Sequence, residues 1–259
     1  MKFRTILAAS AAIAITATAA EAAQVAALSG GKSISVVDTG TKKVVKTWDI
    51  QGVTGKVSGI DVRPADGMLY ALTEDGGVYT VDTATGKATM KLKLDTMLKA
   101  GTWATVDFNP VADRLRVIGS DGMNLRANVD DGKVTVDGAL KYAENDASKG
   151  KTPKVAAGAY INSVKGAKET ALYDIDVASG ALVKQAPPND GMLNTVGTLG
   201  VKADFVAFDI WSDGSKNEAW LMVADGLHSV DLATGKAGPA IKITGIKGQV
   251  RDIAVLPGM

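Results

Sequence analysis

Two stretches of this chain are nearly the same phrase. "GVYTVDTATGKAT" occupies residues 77–89 and "GLHSVDLATGKAG" residues 226–238, identical at eight of thirteen positions although 149 residues apart. A repeat of that kind means that one supersecondary unit is built more than once, and it narrows the possible folds before composition is considered. Around the first copy, short apolar alternations are separated by Asp-Gly and Thr-Gly turns: "GIDVRP" (59–64), "MLYALT" (68–73), "GVYTVD" (77–82) and "KATMKLKL" (87–94). Four strands of this length joined by tight turns form an antiparallel meander, the blade of a β-propeller.

The unit recurs along the chain. A second copy reads "TVDFNP" (105–110), "RLRVIG", "MNLRAN" and "KVTVDG" (133–138). A third runs from "AGAYIN" (157–162) to "MLNTVGTL" (192–199), and a fourth from "VAFDIW" (206–211) to "PAIKITG" (239–245). Gly86, Gly132, Gly191 and Gly235 stand before the last strand of each copy. Two pieces remain. The chain opens with three strands, "QVAALSG" (24–30), "SISVVDTG" (33–40) and "KVVKTWDI" (43–50), and closes with one, "VRDIAVLP" (250–257). Together they complete a fifth blade, which leaves no open sheet edge. The expectation is an all-β, five-bladed propeller of four-stranded antiparallel blades, closed by the C-terminal strand completing the first blade. "LDTMLKAG" (94–101) is the one segment expected to form a helical turn or two.

Residues 1–22 read as a signal peptide. Lys2 and Arg4 precede an Ala-rich apolar run, and Ala20-Glu21-Ala22 supplies a small-residue cleavage site. The expected mature domain is residues 23–259, periplasmic or secreted. Removing Lys2, Arg4 and Glu21 from 29 basic and 28 acidic residues leaves 27 of each. A neutral chain without a basic run argues against nucleic acid as a partner, and the short leader argues against membrane insertion. The absence of cysteine excludes disulfides, thiolate metal sites and a cysteine nucleophile. The mature protein is expected to be a monomer, with a small molecule or a protein as its unidentified partner.

Most catalytic signatures are missing. One histidine, His228, rules out two-histidine metal motifs, and there is no Gly-x-Ser-x-Gly elbow. His228 aligns with Tyr79 on a third strand and reads as structural. The innermost strands carry more information. Aligned, they place Asp61, Asp107, Tyr160, Asp209 and Ala254 in one column, and Arg63, Asn109, Asn162, Trp211 and Leu256 two residues on. Period two puts both columns on the face toward the axis. Asp61, Asp107 and Asp209 are therefore candidate metal ligands, with Ca²⁺ the natural cation for oxygen donors. The ordinary alternative is that each aspartate bonds backbone N–H groups of the next blade. Arg63, Asn109, Tyr160, Asn162, Trp211 and Arg251 are candidate ligand-binding residues. The favoured function is a non-catalytic binding propeller holding its ligand at the channel mouth. The alternative is a Ca²⁺-dependent hydrolase or lactonase-like enzyme using the channel carboxylates. The break in the ring at Ala254 and Leu256 weighs against an enzyme.

Three phrases, "FNPVADRLRVIGSDGMNLR" (108–126), "DGALKYAEND" (137–146) and "LYDIDVASGALVKQAPPNDGMLNTVG" (172–197), resemble the secreted bacterial family carrying the domain of unknown function numbered 4394. The resemblance implies a propeller-like fold and an exported protein. It implies no activity and no catalytic residues. N-terminal sequencing of the exported protein is expected to begin near Ala23; an intact Met1 in the cell envelope would contradict the leader assignment.

Overall fold

The computed structural model describes residues 23–202 and 204–257. The expected signal peptide lies outside the described residues. Among these described residues, twenty-one strands form five sheets, arranged as the repeat requires. Blade 1 holds β1 (Gln24–Ser29), β2 (Ser33–Asp38), β3 (Lys43–Asp49) and β21 (Val250–Leu256). Blade 2 is β4 (Val57–Val62), β5 (Leu69–Thr73), β6 (Gly77–Val81) and β7 (Ala88–Lys93). Blade 3 is β8 (Ala104–Asn109), β9 (Arg114–Gly119), β10 (Asn124–Ala127) and β11 (Val134–Val136). Blade 4 is β13 (Val155–Tyr160), β14 (Leu172–Asp176), β15 (Ala181–Gln185) and β16 (Met192–Thr198). Blade 5 is β17 (Ala207–Ser212), β18 (Asn217–Val223), β19 (Gly226–Val230) and β20 (Ile241–Lys242). The repeated phrases begin with β6 and β19, the third strands of blades 2 and 5.

Burial explains why every blade reads as a gradient. β4 and β5 are buried along nearly their whole length, whereas the outer strands β3 and β7 are mostly exposed. Blades stack face to face, so inner strands are covered on both sides and carry near-continuous apolar runs. Five apolar clusters result, one between each pair of neighbouring blades.

The recurrent turn glycine has a definite task. Gly86 and Gly235 sit at φ 77° and 75°, which favours glycine. A Cβ on Gly86 would lie 2.8 Å from the Asp49 carbonyl oxygen, and one on Gly235 2.7 Å from that of Gly197. Asp49 and Gly197 belong to the outer strands of the preceding blades. The turn is thus where one blade's outer strand presses on the next blade's backbone. After β3, Gln51 N–H donates to Gly86 O at 2.9 Å, and after β7, Asp95 N–H donates to Gly132 O at 3.0 Å.

Two local features differ from the sequence expectation. Residues 94–101 form no helix; the segment crosses from β7 to β8 as bends and a turn, burying Leu94 and Leu98. It is too short to repay helix nucleation, and Leu94 N–H is already committed to Gly76 O at 2.9 Å. Blade 4 also gains a fifth strand, β12 (Lys141–Tyr142), parallel to β16. Among the described residues no helix is long and apolar enough to cross a membrane.

Ring closure follows the expected route. β21 pairs antiparallel with β1 from Gln24↔Leu256 to Ser29↔Val250, with one register shift at Leu28/Ser29. Removing residues 250–259 would bare the inner edge of β1 and unseat blades 5 and 2, which flank β21. We expect that truncation to abolish cooperative thermal unfolding or to produce aggregates. A truncated chain melting cooperatively at the full-length temperature would contradict the closure.

Candidate functional site

Each inner strand is hydrogen-bonded to its own blade along one edge only. The other edge faces the axis with unpaired N–H groups that need acceptors. Aspartates supply them. Asp61 accepts from its own Val62 N–H at 2.7 Å and, across the blade boundary, from Phe108 N–H at 2.6 Å. Asp209 accepts from Ile210 N–H and from Val255 N–H of β21, both at 2.6 Å. Asp107 accepts from Tyr160 N–H at 2.9 Å. One level nearer the strand starts, Asp252 accepts from Ile60 N–H at 2.9 Å and Thr105 Oγ from Gly158 N–H at 3.0 Å. Gly59 leaves the room for this: a Cβ there would lie 2.6 Å from Asp252 Oδ2.

The three aspartates singled out from the sequence meet at the axis. All are buried, and one oxygen of each lies within 4.8 Å of the others. Burial pushes Asp61 and Asp107 well above the ordinary carboxylate value, and the neighbouring carboxylates add to it. Burial likewise raises Asp252, and moves Asp209 to about 6 against the opposing pull of its two backbone N–H bonds. Near neutral pH this cluster shares protons or is offset by a cation.

At the ends of the inner strands, the upper mouth of the axis, a cavity of about 240 Å³ opens above the aspartates. Asp61 and Asp209 reach its floor, Trp211 and Pro257 form part of the wall, and Ser163 and Lys165 overhang it from the β13–β14 loop. That loop contains the "VKGAK" insertion that interrupts the third copy of the repeat.

Of the candidate ligand-binding residues, Trp211 alone lines this mouth cavity. The others are placed elsewhere. Arg63 is buried at the blade 2/3 boundary, where its guanidinium pairs with Asp113 at 2.6 Å and Asp130 at 2.7 Å. Asn109 Oδ1 caps the following turn through Val111 and Ala112 N–H. Asn162 exchanges bonds with Asn217 of blade 5: its N–H donates to Asn217 Oδ1 at 2.7 Å, and Asn217 Nδ2 donates back at 3.0 Å. Tyr160 is buried with its hydroxyl accepting from Arg116 Nε at 3.2 Å. Arg251 stands at the opposite end of the axis, because it begins an inner strand and Trp211 lies near the end of one. His228 is buried, its Nδ1 2.8 Å from Gly238 O.

A second buried polar centre was not anticipated. At the boundary of blades 3 and 4 the apolar cluster is supplemented by Arg116, which donates to Asp137 Oδ2 at 2.6 Å, Asn124 Oδ1 at 2.8 Å and Asn189 Oδ1 at 2.8 Å. Asn124 and Gln185 donate to Pro188 O of the Pro-Pro-Asn-Asp-Gly turn. These residues come from the three phrases that carry the family resemblance, so those phrases meet at one blade interface. The model of the family described as a domain of unknown function (DUF4394) matches residues 32–254. The chain belongs to that family.

No curated protein matches the sequence. Among solved structures, the DUF4394 chain is similar to a protein of unknown function from Bacteroides thetaiotaomicron: 15% identity, 91% of this chain and 62% of that one covered, TM-score 0.56. Weaker likenesses join it to a protein of unknown function from Bacteroides caccae (14% identity, 88% and 75% covered, TM-score 0.46) and to an auxiliary nutrient binding protein from Bacteroides ovatus (15%, 75% and 51%, TM-score 0.43). At such identities the likeness concerns fold alone.

Asp252 was legible in principle, since it lies two residues before Ala254 and so on the same strand face. Asp174 was not. It is buried against Gly158, both its oxygens lack hydrogen-bond partners, and burial pushes it to about 8 despite the charge of Arg116. Its folded-state value exceeds its ordinary 3.8, so the stability it lends is full below 3.8 and is lost as pH rises toward 8. Asp174→Asn is expected to flatten the fall in melting temperature between about pH 4 and pH 8. An unchanged pH profile in the variant would show that Asp174 is ionised in the fold.

Proposed function

We propose that this protein is an exported, non-catalytic binding propeller that holds a ligand at the upper mouth of its axis. The observation that carries the reading is the mouth cavity itself, apolar in its walls and floored by two of three clustered carboxylates. Val62, Pro64, Trp211 and Pro257 offer an apolar surface, and an aromatic wall suits a flat or cationic body. The floor suits positive charge. Each oxygen of Asp61 and Asp209 accepts one backbone N–H and keeps a second lone pair, so a cationic group gains acceptors without the ring losing its bonds. Asp61, Asp107 and Asp209 are accordingly the proposed cation subsite, with Ca²⁺ the simplest occupant.

A hydrolase reading has less support. The sole histidine, the side chain most often used as a general base, lies on the third strand of blade 5, away from the inner strands that carry the carboxylates.

The test is thermal melting with calcium chloride, with a chelator, and with phenethylammonium chloride at matched ionic strength. Either cation is expected to raise the melting temperature by several degrees in wild type, by mass action on the folded state. The rise is expected to vanish in Asp107→Asn. A wild-type protein indifferent to both cations, or a response preserved in the variant, would return these aspartates to a purely structural role.

A further inference from the structure

The lower end of the axis, where the inner strands begin, has the opposite electrostatic character. A cavity of about 510 Å³ opens between the β1–β2 turn and the segment entering β21. Lys56, Lys247 and Arg251 line it together with Trp103, Gln249 and Ser33, and no carboxylate does among the described residues. In a mature chain whose formal charges balance, three cations around one cavity are a local excess rather than an overall trend.

Arg251 is held as a preformed recognition group. Its guanidinium lies 4.5 Å over the Trp103 ring. Trp103 is fixed in turn by its indole N–H, which donates to Ala156 O at 3.2 Å across the boundary with blade 4. A guanidinium held over an aromatic ring is restrained before it meets a ligand, so little freedom is lost when an anion docks. Its donors are underused. Among the described residues the terminal nitrogens make one ion pair, to Glu74, stretched to 3.5 Å, and Nε is buried without a hydrogen-bond partner. Buried donors of this kind are ordinarily satisfied in native proteins. Lys56 is exposed, and its Cβ lies about where a side chain on Gly31 would meet it, at 3.2 Å; Lys247 is exposed on the β21 approach.

We propose that this lower cavity binds a small anion bearing a carboxylate or a phosphate, with Arg251 as the principal donor and Lys56 and Lys247 as supporting charges. Both anion classes present the paired oxygens that a guanidinium edge engages bidentately. The site is separate from the upper mouth and does not rest on the cation reading of the carboxylates there.

Isothermal titration with sodium phosphate and with sodium benzoate, each at constant ionic strength set by chloride, tests it. At least one anion is expected to bind saturably. Binding to phosphate alone would identify a phosphoryl subsite, and binding to benzoate alone a carboxylate site with room for a ring beside Trp103. Arg251→Gln is expected to weaken that binding at least tenfold, and the double variant Lys56→Gln/Lys247→Gln severalfold. Lys93→Gln, which removes an equal charge from the exposed outer strand of blade 2, is expected to leave binding unchanged. Should Arg251→Gln fail to fold, the double variant at two exposed positions decides. No saturable binding of either anion, or equal weakening by Lys93→Gln and the double variant, would overturn the proposal.

Discussion

An inner strand of a closed ring has a problem that no strand further out shares. One of its edges is paired within the blade, and the other faces a narrow axis into which no further strand fits. At four of the five blade boundaries, unpaired N–H groups are answered by side chains of the preceding inner strand, chiefly aspartates, so the bond that satisfies an edge also joins two blades. Carboxylates suit the task because one group accepts from its own strand and its neighbour together. The arrangement has an electrostatic cost: acidic groups are brought close in a buried place, and their proton affinities rise. Any function at the upper mouth inherits that charge. The chemistry of the site is therefore a by-product of how the ring is fastened.

The five blade interfaces are not equivalent, although the repeat suggests that they should be. Four are filled mainly by apolar side chains. The interface between blades 3 and 4 has the smallest apolar cluster and adds a buried ion pair, with Arg116 and Asp137 both at most 5% exposed. Asp137 also pairs with Arg126, but removing Asp137 would leave the buried Arg116 guanidinium without a counter-ion, typically a loss of about 3–5 kcal/mol. Its geometry also fixes how the Pro-Pro-Asn-Asp-Gly turn seats on blade 3, through Asn189 and the Pro188 carbonyl. The family-like phrases converge there and contact one another directly, so their residues are constrained by mutual fit.

The blades were legible in the sequence because glycine turns interrupt apolar alternation at nearly constant spacing, and the turn glycines proved to be sites of close backbone approach between blades. The aspartate column was legible by period two alone. Less visible was anything that depends on pairing between distant segments. Arg63 was read as a ligand-binding residue facing the axis, but its guanidinium is engaged by Asp113 and Asp130, which lie 50 and 67 residues further along the chain. Asn162 was read as facing the axis and is instead matched to Asn217, in the next blade. The separation of Arg251 from Trp211 follows from strand direction, since one opens an inner strand and the other lies near the end of one. The helix expected over 94–101 failed for another reason: local composition was outweighed by the hydrogen bonds offered by two neighbouring turns.

Blade 1 is assembled from both ends of the chain, with Val25 opposite Val255. Such a contact spans all of blades 2 to 5 in sequence, and long-range pairings of that kind are slow to form. Blades 2 to 5 are each built from consecutive strands and can form from local contacts, whereas β1 keeps its inner edge bare until β21 reaches it. Seating that one seven-residue strand is the latch that turns a row of blades into a ring.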